Sequence, residues 1–190
     1  MFARTERLLL RPAWSEDAPA LARIAGDEAV ARNLARLPSP YSLDDAEAFI
    51  ASQQRKPWPS LMILRRTHRA PQLIGVAGID PLHGSTPELG YWLARPYWGL
   101  GYATEAGRAI VALARDSLRV KRIEAGHFID NPASGRVLRK LGFRPTGEVV
   151  MRRSVARGRE VASMRYAIDL GANSELQCDD ALEEACQMAA

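Results

Sequence analysis

One stretch constrains the fold more than any other. Residues 88 to 106 read Glu-Leu-Gly-Tyr-Trp-Leu-Ala-Arg-Pro-Tyr-Trp-Gly-Leu-Gly-Tyr-Ala-Thr-Glu-Ala. Apolar and aromatic residues make 88–93 a strand, Pro96 breaks it, and Gly99 and Gly101 form a turn. From there Ala103, Ala106, Ile110, Leu113, Ala114 and Leu118 recur at three- and four-residue intervals, the period of a helix with one buried face. A helix start leaves N–H groups unpaired and a positive partial charge, and glycines let an anion approach the backbone with no Cβ in the way. The stretch therefore reads either as a phosphate-binding turn or as an ordinary strand-to-helix turn that uses glycine for its dihedrals. Two nucleotide motifs fail here. The last glycine or alanine of the dinucleotide fingerprint would fall at Thr104, and no Gly-x-x-x-x-Gly-Lys-Ser/Thr occurs in the chain.

The flanking chain reads as a mixed α/β (α+β) domain. Residues 8–12 open it as a strand, and Ser15-Glu-Asp starts a helix that buries Leu21, Ile24 and Ala25. A second helix is expected over 27–36, before Leu37-Pro-Ser-Pro40 stops it. A third begins at Ser42, with Asp45 in the capping-box position and Phe49 and Ile50 inside. Strands at 61–65, 72–79 and 88–93 suggest an antiparallel meander. After the central helix, 121–129 is a strand, Asn131 and Pro132 open a helix that Gly142 ends, and strands at 143–151 and 160–168 close the domain. At 190 residues a single domain is expected, assigned to 1–170. The acidic, Ala-rich stretch 171–190 reads as an appended tail, either a frayed helix or a disordered segment.

Composition narrows the classes. Hydrophobic residues at 47% and charged residues at 25% are those of a folded globular chain. No apolar run approaches the roughly 18 residues of a membrane span, and the N-terminus has only three leucines between charges where a signal peptide needs a longer apolar core. A cytoplasmic location without a membrane partner is expected. Cys178 and Cys186 lie in the tail without histidine neighbours, so neither a disulfide framework nor a metal site is read. There are 26 basic and 22 acidic residues, and five of the acids fall in the last twenty positions, which leaves +9 over 1–170. Such a surface favours anions. The ratio of 23 Arg to 3 Lys suits phosphate, although a genome rich in arginine codons gives the same ratio. Nucleic-acid binding through Arg152, Arg153, Arg157 and Arg159 has the charge but lacks an aromatic-basic platform, and is disfavoured.

Three blocks in register carry a resemblance. Trp98-Gly-Leu-Gly-Tyr-Ala-Thr-Glu-Ala106, preceded by Glu88-x-Gly-Tyr-Trp-Leu and followed by Asn131-Pro-Ala-Ser134 and Leu141-Gly-Phe143, resembles the RimJ/RimL-like branch of the GNAT N-acetyltransferase superfamily. The opening Thr5-Glu-Arg-Leu-Leu-Leu-Arg is similar to the start of that branch, so the resemblance covers about residues 4 to 169. It implies a GNAT fold: a strongly twisted, mixed sheet of six or seven strands flanked by helices. It also implies acetyl transfer from acetyl-CoA to a primary amine, a protein N-terminal α-amine or a small molecule, by direct attack in a ternary complex. A noncatalytic CoA-binding or regulatory domain is the alternative, and a homodimer is left open. By resemblance the pyrophosphate rests on the amides of Trp98, Gly99, Leu100, Gly101, Tyr102, Ala103 and Thr104. The pantetheine arm runs beside Leu93, Ala94 and Arg95 and touches Asn131. The Gln or Arg usual in the wider superfamily ahead of the glycine turn is Trp98 here, as is usual in this branch.

Acetyl transfer needs a neutral amine, a polarised carbonyl and a proton for the departing thiolate. Glu88, just ahead of the cofactor strand, is the candidate base, acting directly or through water, or else a solvated strand-end carboxylate. His83 and His127 titrate in the useful range, but one sits in a turn and the other beside a glycine, and His68 sits in a basic turn. The tyrosine that many superfamily members place seven residues after the helix asparagine is Leu138 here. The resemblance implies that Ser134 serves as the acid instead, at a position where serine also simply suits a helix start. Tyr91, Trp92, Tyr97 and Trp98 would line the acceptor cleft or pack in the core. No nucleophile elbow occurs, so no covalent enzyme intermediate is expected.

Overall fold

The computed structural model describes residues 1–171 apart from 55, 57, 59 and 82–85. His83, Cys178, Cys186 and the tail beyond Gly171 lie outside the described residues. Strands β1 (Ala3–Arg4), β2 (Leu8–Pro12), β3 (Leu61–Arg65), β4 (Gln72–Pro81) and β5 (Pro87–Leu93) pair antiparallel in chain order. β6 (Arg122–Phe128) lies parallel to β5, and β7 (Arg144–Ser154) and β8 (Arg159–Asp169) complete a mixed sheet in the order β1-β2-β3-β4-β5-β6-β8-β7. Eight strands replace the expected six or seven. The addition is β1, whose two residues pair with Leu10 and Leu9 but carry too little pattern to read from sequence.

Parallel neighbours need a crossover, and α4 (Tyr102–Asp116) supplies it between β5 and β6. Its Ala106, Ile110 and Ala114 pack with α5 (Pro132–Lys140) against Leu8, Leu10, Ile63, Leu89 and Tyr166 on one face of the sheet. Helices α1 (Ala18–Ala25) and α3 (Leu43–Gln53) cover the other face, placing Leu21 and Ile50 on Met62, Leu64 and Val76. Each such aliphatic side chain contributes roughly 1.5–3 kcal/mol when fully buried. α4 and α5 approach closely at Gly107, where a Cβ would fall 2.6 Å from Leu141 Cδ1.

Local signals set most boundaries. Ser42 and Asp45 form the expected capping box on α3, and Asn131 caps α5 by accepting from the Ser134 amide. The chain enters α1 through a short 3₁₀ turn at Ser15–Asp17. The buried Asp17 carboxylate there takes two bonds from Arg11, at 2.7 and 2.8 Å, and one from the Trp14 amide. The helix expected over 27–36 shrinks to α2 (Glu28–Ala31). The next turn is unwound by tertiary bonds: Val155 N–H donates to the Ala35 carbonyl at 2.9 Å and the Ser154 hydroxyl to the Leu34 carbonyl at 3.3 Å. No helix among the described residues is long and apolar enough to cross a membrane.

Candidate active site

The glycine turn lies between the end of β5 and the start of α4, after a 3₁₀ turn at Arg95–Tyr97. Gly99 and Gly101 have φ of +74° and +83°, the left-handed region that glycine alone occupies without strain. A Cβ on Gly99 would meet nothing within 4 Å, and one on Gly101 would meet only Arg7 Nη2, at 3.3 Å. Gly101 is the N-cap of α4 and offers no side chain to its first turn, so the N–H groups of that turn are left for another acceptor. Trp98 does not reach over the turn. Its indole N–H donates to the Leu93 carbonyl at 2.7 Å and ties the turn to the end of β5.

An acid in this first turn would repel an anion. Glu105 is that acid, and three donors occupy it: the Thr5 hydroxyl at 2.6 Å, the Arg7 amide at 2.8 Å and Arg7 Nε at 2.7 Å. Burial pushes its carboxyl up, but the bonds from Thr5 and Arg7 and the Arg7 charge outweigh that and hold it below the usual carboxylate range.

Beside the turn the sheet opens. β5 and β6 pair only at Glu88 with Glu124 and Leu89 with Ala125, although β5 continues to Leu93 and β6 to Phe128. The Ala94 N–H donates to the Ile74 carbonyl of β4 at 2.8 Å, so the Leu93 carbonyl faces away from β4, where the Trp98 indole takes it. The Tyr91 hydroxyl donates to the Ser134 carbonyl at 3.1 Å and lies 2.9 Å from Ser134 Oγ. Burial pushes the Tyr91 phenol up to about 12. Asn131 Oδ1 accepts from the Ser134 amide at 3.3 Å and orients the same turn of α5. His127 lies beneath α5 with Nδ1 2.8 Å from the Phe128 carbonyl, and Nε2 would come 2.6 Å from a Cβ on Gly135.

Glu88 faces the other side of the sheet, since successive strand residues alternate and Leu89 packs with α4 and Tyr91 with α5. It is 7% exposed and bonded by Arg152 at 2.6 and 3.3 Å, with Arg165 at 3.5 Å. Asp80 and Glu124 sit directly across from it on β4 and β6, a row of three carboxylates. Adjacent like charges repel. Arg36 and Lys56 neutralise Asp80, at 2.7 and 3.1 Å, and Arg165 bonds Glu124 at 2.6 Å. Burial raises the Asp80 carboxyl, but the bonds and charges of Arg36 and Lys56 prevail and lower it.

The structure thus brings Leu93, Ala94, Arg95 and the 98–104 turn to one end of the β5–β6 gap and Ser134 with Asn131 to its α5 side. Glu88 stands at its closed end on the opposite face. Of the four aromatics, Tyr91 points to Ser134, Trp92 packs with the α1–α3 cluster, and Tyr97 meets Tyr102 edge to face at 6.2 Å. Sequence reasoning missed Arg7, Tyr91 as the partner of Ser134, and the arginines on Glu88. Each is a contact across more than forty residues. Two of the four arginines read as a basic group are consumed internally: Arg152 by Glu88, and Arg157 by Asp130 at 2.7 and 3.1 Å.

A mixed sheet that parts at β5 and β6 beside a glycine turn is the arrangement that the sequence resemblance implies. The acetyltransferase (GNAT) domain model matches residues 7–144, and the chain belongs to that family of acetyltransferases. It is 32% identical over 149 residues to YoaA, an uncharacterized N-acetyltransferase of Bacillus subtilis (strain 168), covering 75% of this chain and 82% of that one. A shorter stretch of 75 residues, 38% of this chain and 41% of the other, is 35% identical to the ribosomal-protein-serine acetyltransferase of Escherichia coli (strain K12). In fold it is similar to a GNAT-family acetyltransferase from Bacillus anthracis, with TM-score 0.77, 23% identity, and 90% of this chain and 99% of that one covered.

Proposed function

We propose that this enzyme moves an acetyl group from acetyl-CoA to a primary amine, a protein N-terminal α-amine or a small amine, in one ternary complex. The observation that carries this reading is the conjunction at the end of β5: two left-handed glycines, an α4 N-terminus without a side-chain cap, and a gap where β5 and β6 part. A pyrophosphate suits the first and second, and an extended pantetheine arm beside Leu93, Ala94 and Arg95 suits the third. Further support comes from RimL, a ribosomal L7/L12 α-N-protein acetyltransferase of 19% identity and TM-score 0.77, covering 91% of this chain and 100% of that one. Its solved structure holds coenzyme A.

The donor supplies the acetyl group as a thioester. The neutral amine attacks the carbonyl carbon, the C–N bond forms and the C–S bond breaks. Ser134 gives its hydroxyl proton to the departing sulfur. Tyr91, still a phenol up to about pH 12, is placed 2.9 Å away to replace that proton. Glu88 takes the amine proton, directly or through a water, with a lone pair that the Arg152 contacts at 2.6 and 3.3 Å leave free. A panel of peptide N-termini, amino acids, polyamines and aminated antibiotics, with acetyl-CoA and thiol detection, tests the reading. Turnover confined to one class names the acceptor. Acetyl-CoA binding with no thiol release from any amine would refute it.

A further inference from the structure

Arg7 belongs to the segment ahead of β2, more than ninety residues from the glycine turn, yet its side chain ends there. Three contacts fix the guanidinium: Nε donates to Glu105 at 2.7 Å, Nη1 donates to the Leu100 carbonyl at 3.0 Å, and Cζ lies 4.4 Å from the centroid of the Tyr102 ring. The segment itself is pinned, since Arg66 N–H donates to the Arg7 carbonyl at 2.9 Å and Arg66 Nη1 to the Thr5 and Glu6 carbonyls at 3.1 and 2.8 Å. The remaining nitrogen, Nη2, has no hydrogen bond among the described residues and stands 3.3 Å from where a Gly101 Cβ would be. The side chain as a whole is 43% exposed.

We propose that Arg7 is a binding residue for the donor's diphosphate, presenting Nη2 to an oxygen held on the Gly101 turn while its other nitrogens hold Leu100 and Glu105 in place. The inference rests on the reading of that turn as the acetyl-CoA site. Arginine suits the task because its donors form a rigid planar fork that keeps one edge outward while another is occupied. It also cancels Glu105, which the bonds from Thr5 and Arg7 keep anionic in the helix's first turn, where an uncompensated carboxylate would repel the diphosphate. Lysine, a single point charge, cannot hold Glu105 and Leu100 and still offer an outward donor in the same plane.

Two donors separate binding from mere bracing: acetyl-CoA, and S-acetylpantetheine, which has the same thioester arm and no phosphate. With the best amine of the panel, Arg7→Gln is expected to lower kcat/KM for acetyl-CoA at least tenfold and to leave S-acetylpantetheine within twofold of wild type. Arg7→Lys, which keeps the charge, should show a smaller loss confined to acetyl-CoA, and it carries the test if the glutamine variant does not fold. Calorimetry with CoA needs no acceptor and should show at least tenfold weaker binding for Arg7→Gln and a smaller but measurable weakening for Arg7→Lys. Equal losses on both donors, or an unchanged CoA affinity, would overturn the role of Arg7. If the wild-type enzyme uses the two donors equally well, the nucleotide half is not bound at all, and the reading of the glycine turn falls with the proposal.

Discussion

Ser134 and Tyr91 illustrate how one residue's chemistry depends on its neighbour. A serine hydroxyl is a poor acid by itself, and here a buried phenol shares its hydrogen bond. Ser134→Ala should lower kcat at least about tenfold with acetyl-CoA affinity near wild type, since a general acid contributes about 10²- to 10⁴-fold. Steady-state kinetics paired with calorimetry checks this. Glu88→Gln should lower kcat by a similar factor, with part of the loss recovered at high pH as free amine becomes abundant. Normal turnover of both variants from pH 6 to 9 would leave catalysis to proximity and backbone polarisation. Tyr91 also makes a stability prediction. An unfolded tyrosine ionises near 10, while Tyr91 in the fold is pushed up to about 12. The preference for the neutral form is fully present below pH 10 and is lost as pH rises through 12, so stability falls across that window. Urea unfolding at pH 9 and 11.5 should show Tyr91→Phe losing about 2 kcal/mol less than wild type over the interval. Tyr41, raised to about 12 by burial and by the Asp45 charge, contributes a smaller decline that both proteins share, because solvent screens it.

At the scale of elements, the sequence signals that succeeded were local ones. The α4 period, the Ser42–Asp45 box, the Asn131-Pro132 start and the left-handed Gly142 at φ +90° all act within a turn of the chain, and the structure carries each of them. The signals that failed were overridden from a distance. α2 is cut short by bonds from the end of β7, and β1 exists only because β2 offers it an edge. The same division runs through the site. Gly99, Gly101, Ser134 and Glu88 were legible as residue types in spaced motifs, whereas Arg7, Arg152 and Arg165 were invisible because arginines are abundant and their partners lie on other elements. Close approach between β4 and β5 gives an element-level test. A Cβ on Gly75 would fall 2.1 Å from the Trp92 carbonyl oxygen and 2.9 Å from Leu93 Cα, both backbone atoms that cannot swing aside. Gly75→Ala should therefore cost about 2–3 kcal/mol in chemical denaturation and weaken acetyl-CoA through a displaced Leu93. A loss under about 0.5 kcal/mol would show that the two strands part easily.

At the scale of the whole molecule, the fold divides labour between two faces: α4 and α5 with the glycine turn on one, α1 and α3 with the row of carboxylates on the other, and the β5–β6 gap between them. We propose that residues 1–170 form the acetyltransferase domain and that 171–190 is dispensable for its folding, since β8 ends at Asp169 and the Leu170 N–H already closes on the Lys121 carbonyl at 2.7 Å. Truncation after Leu170 should leave melting temperature and turnover nearly intact, and a large fall in either would show that 171–190 docks on the domain. The turn at 98–104 is the proposed seat of the acetyl-CoA diphosphate. Gly101→Asp would put a carboxylate on a left-handed residue beside Arg7 Nη2, where the anion is expected. Calorimetric titration of acetyl-CoA into wild type and the folded variant should show binding in the first and a loss of at least about a hundredfold in the second, roughly 2.7 kcal/mol. Equal affinity in the two proteins would mean that the donor sits elsewhere.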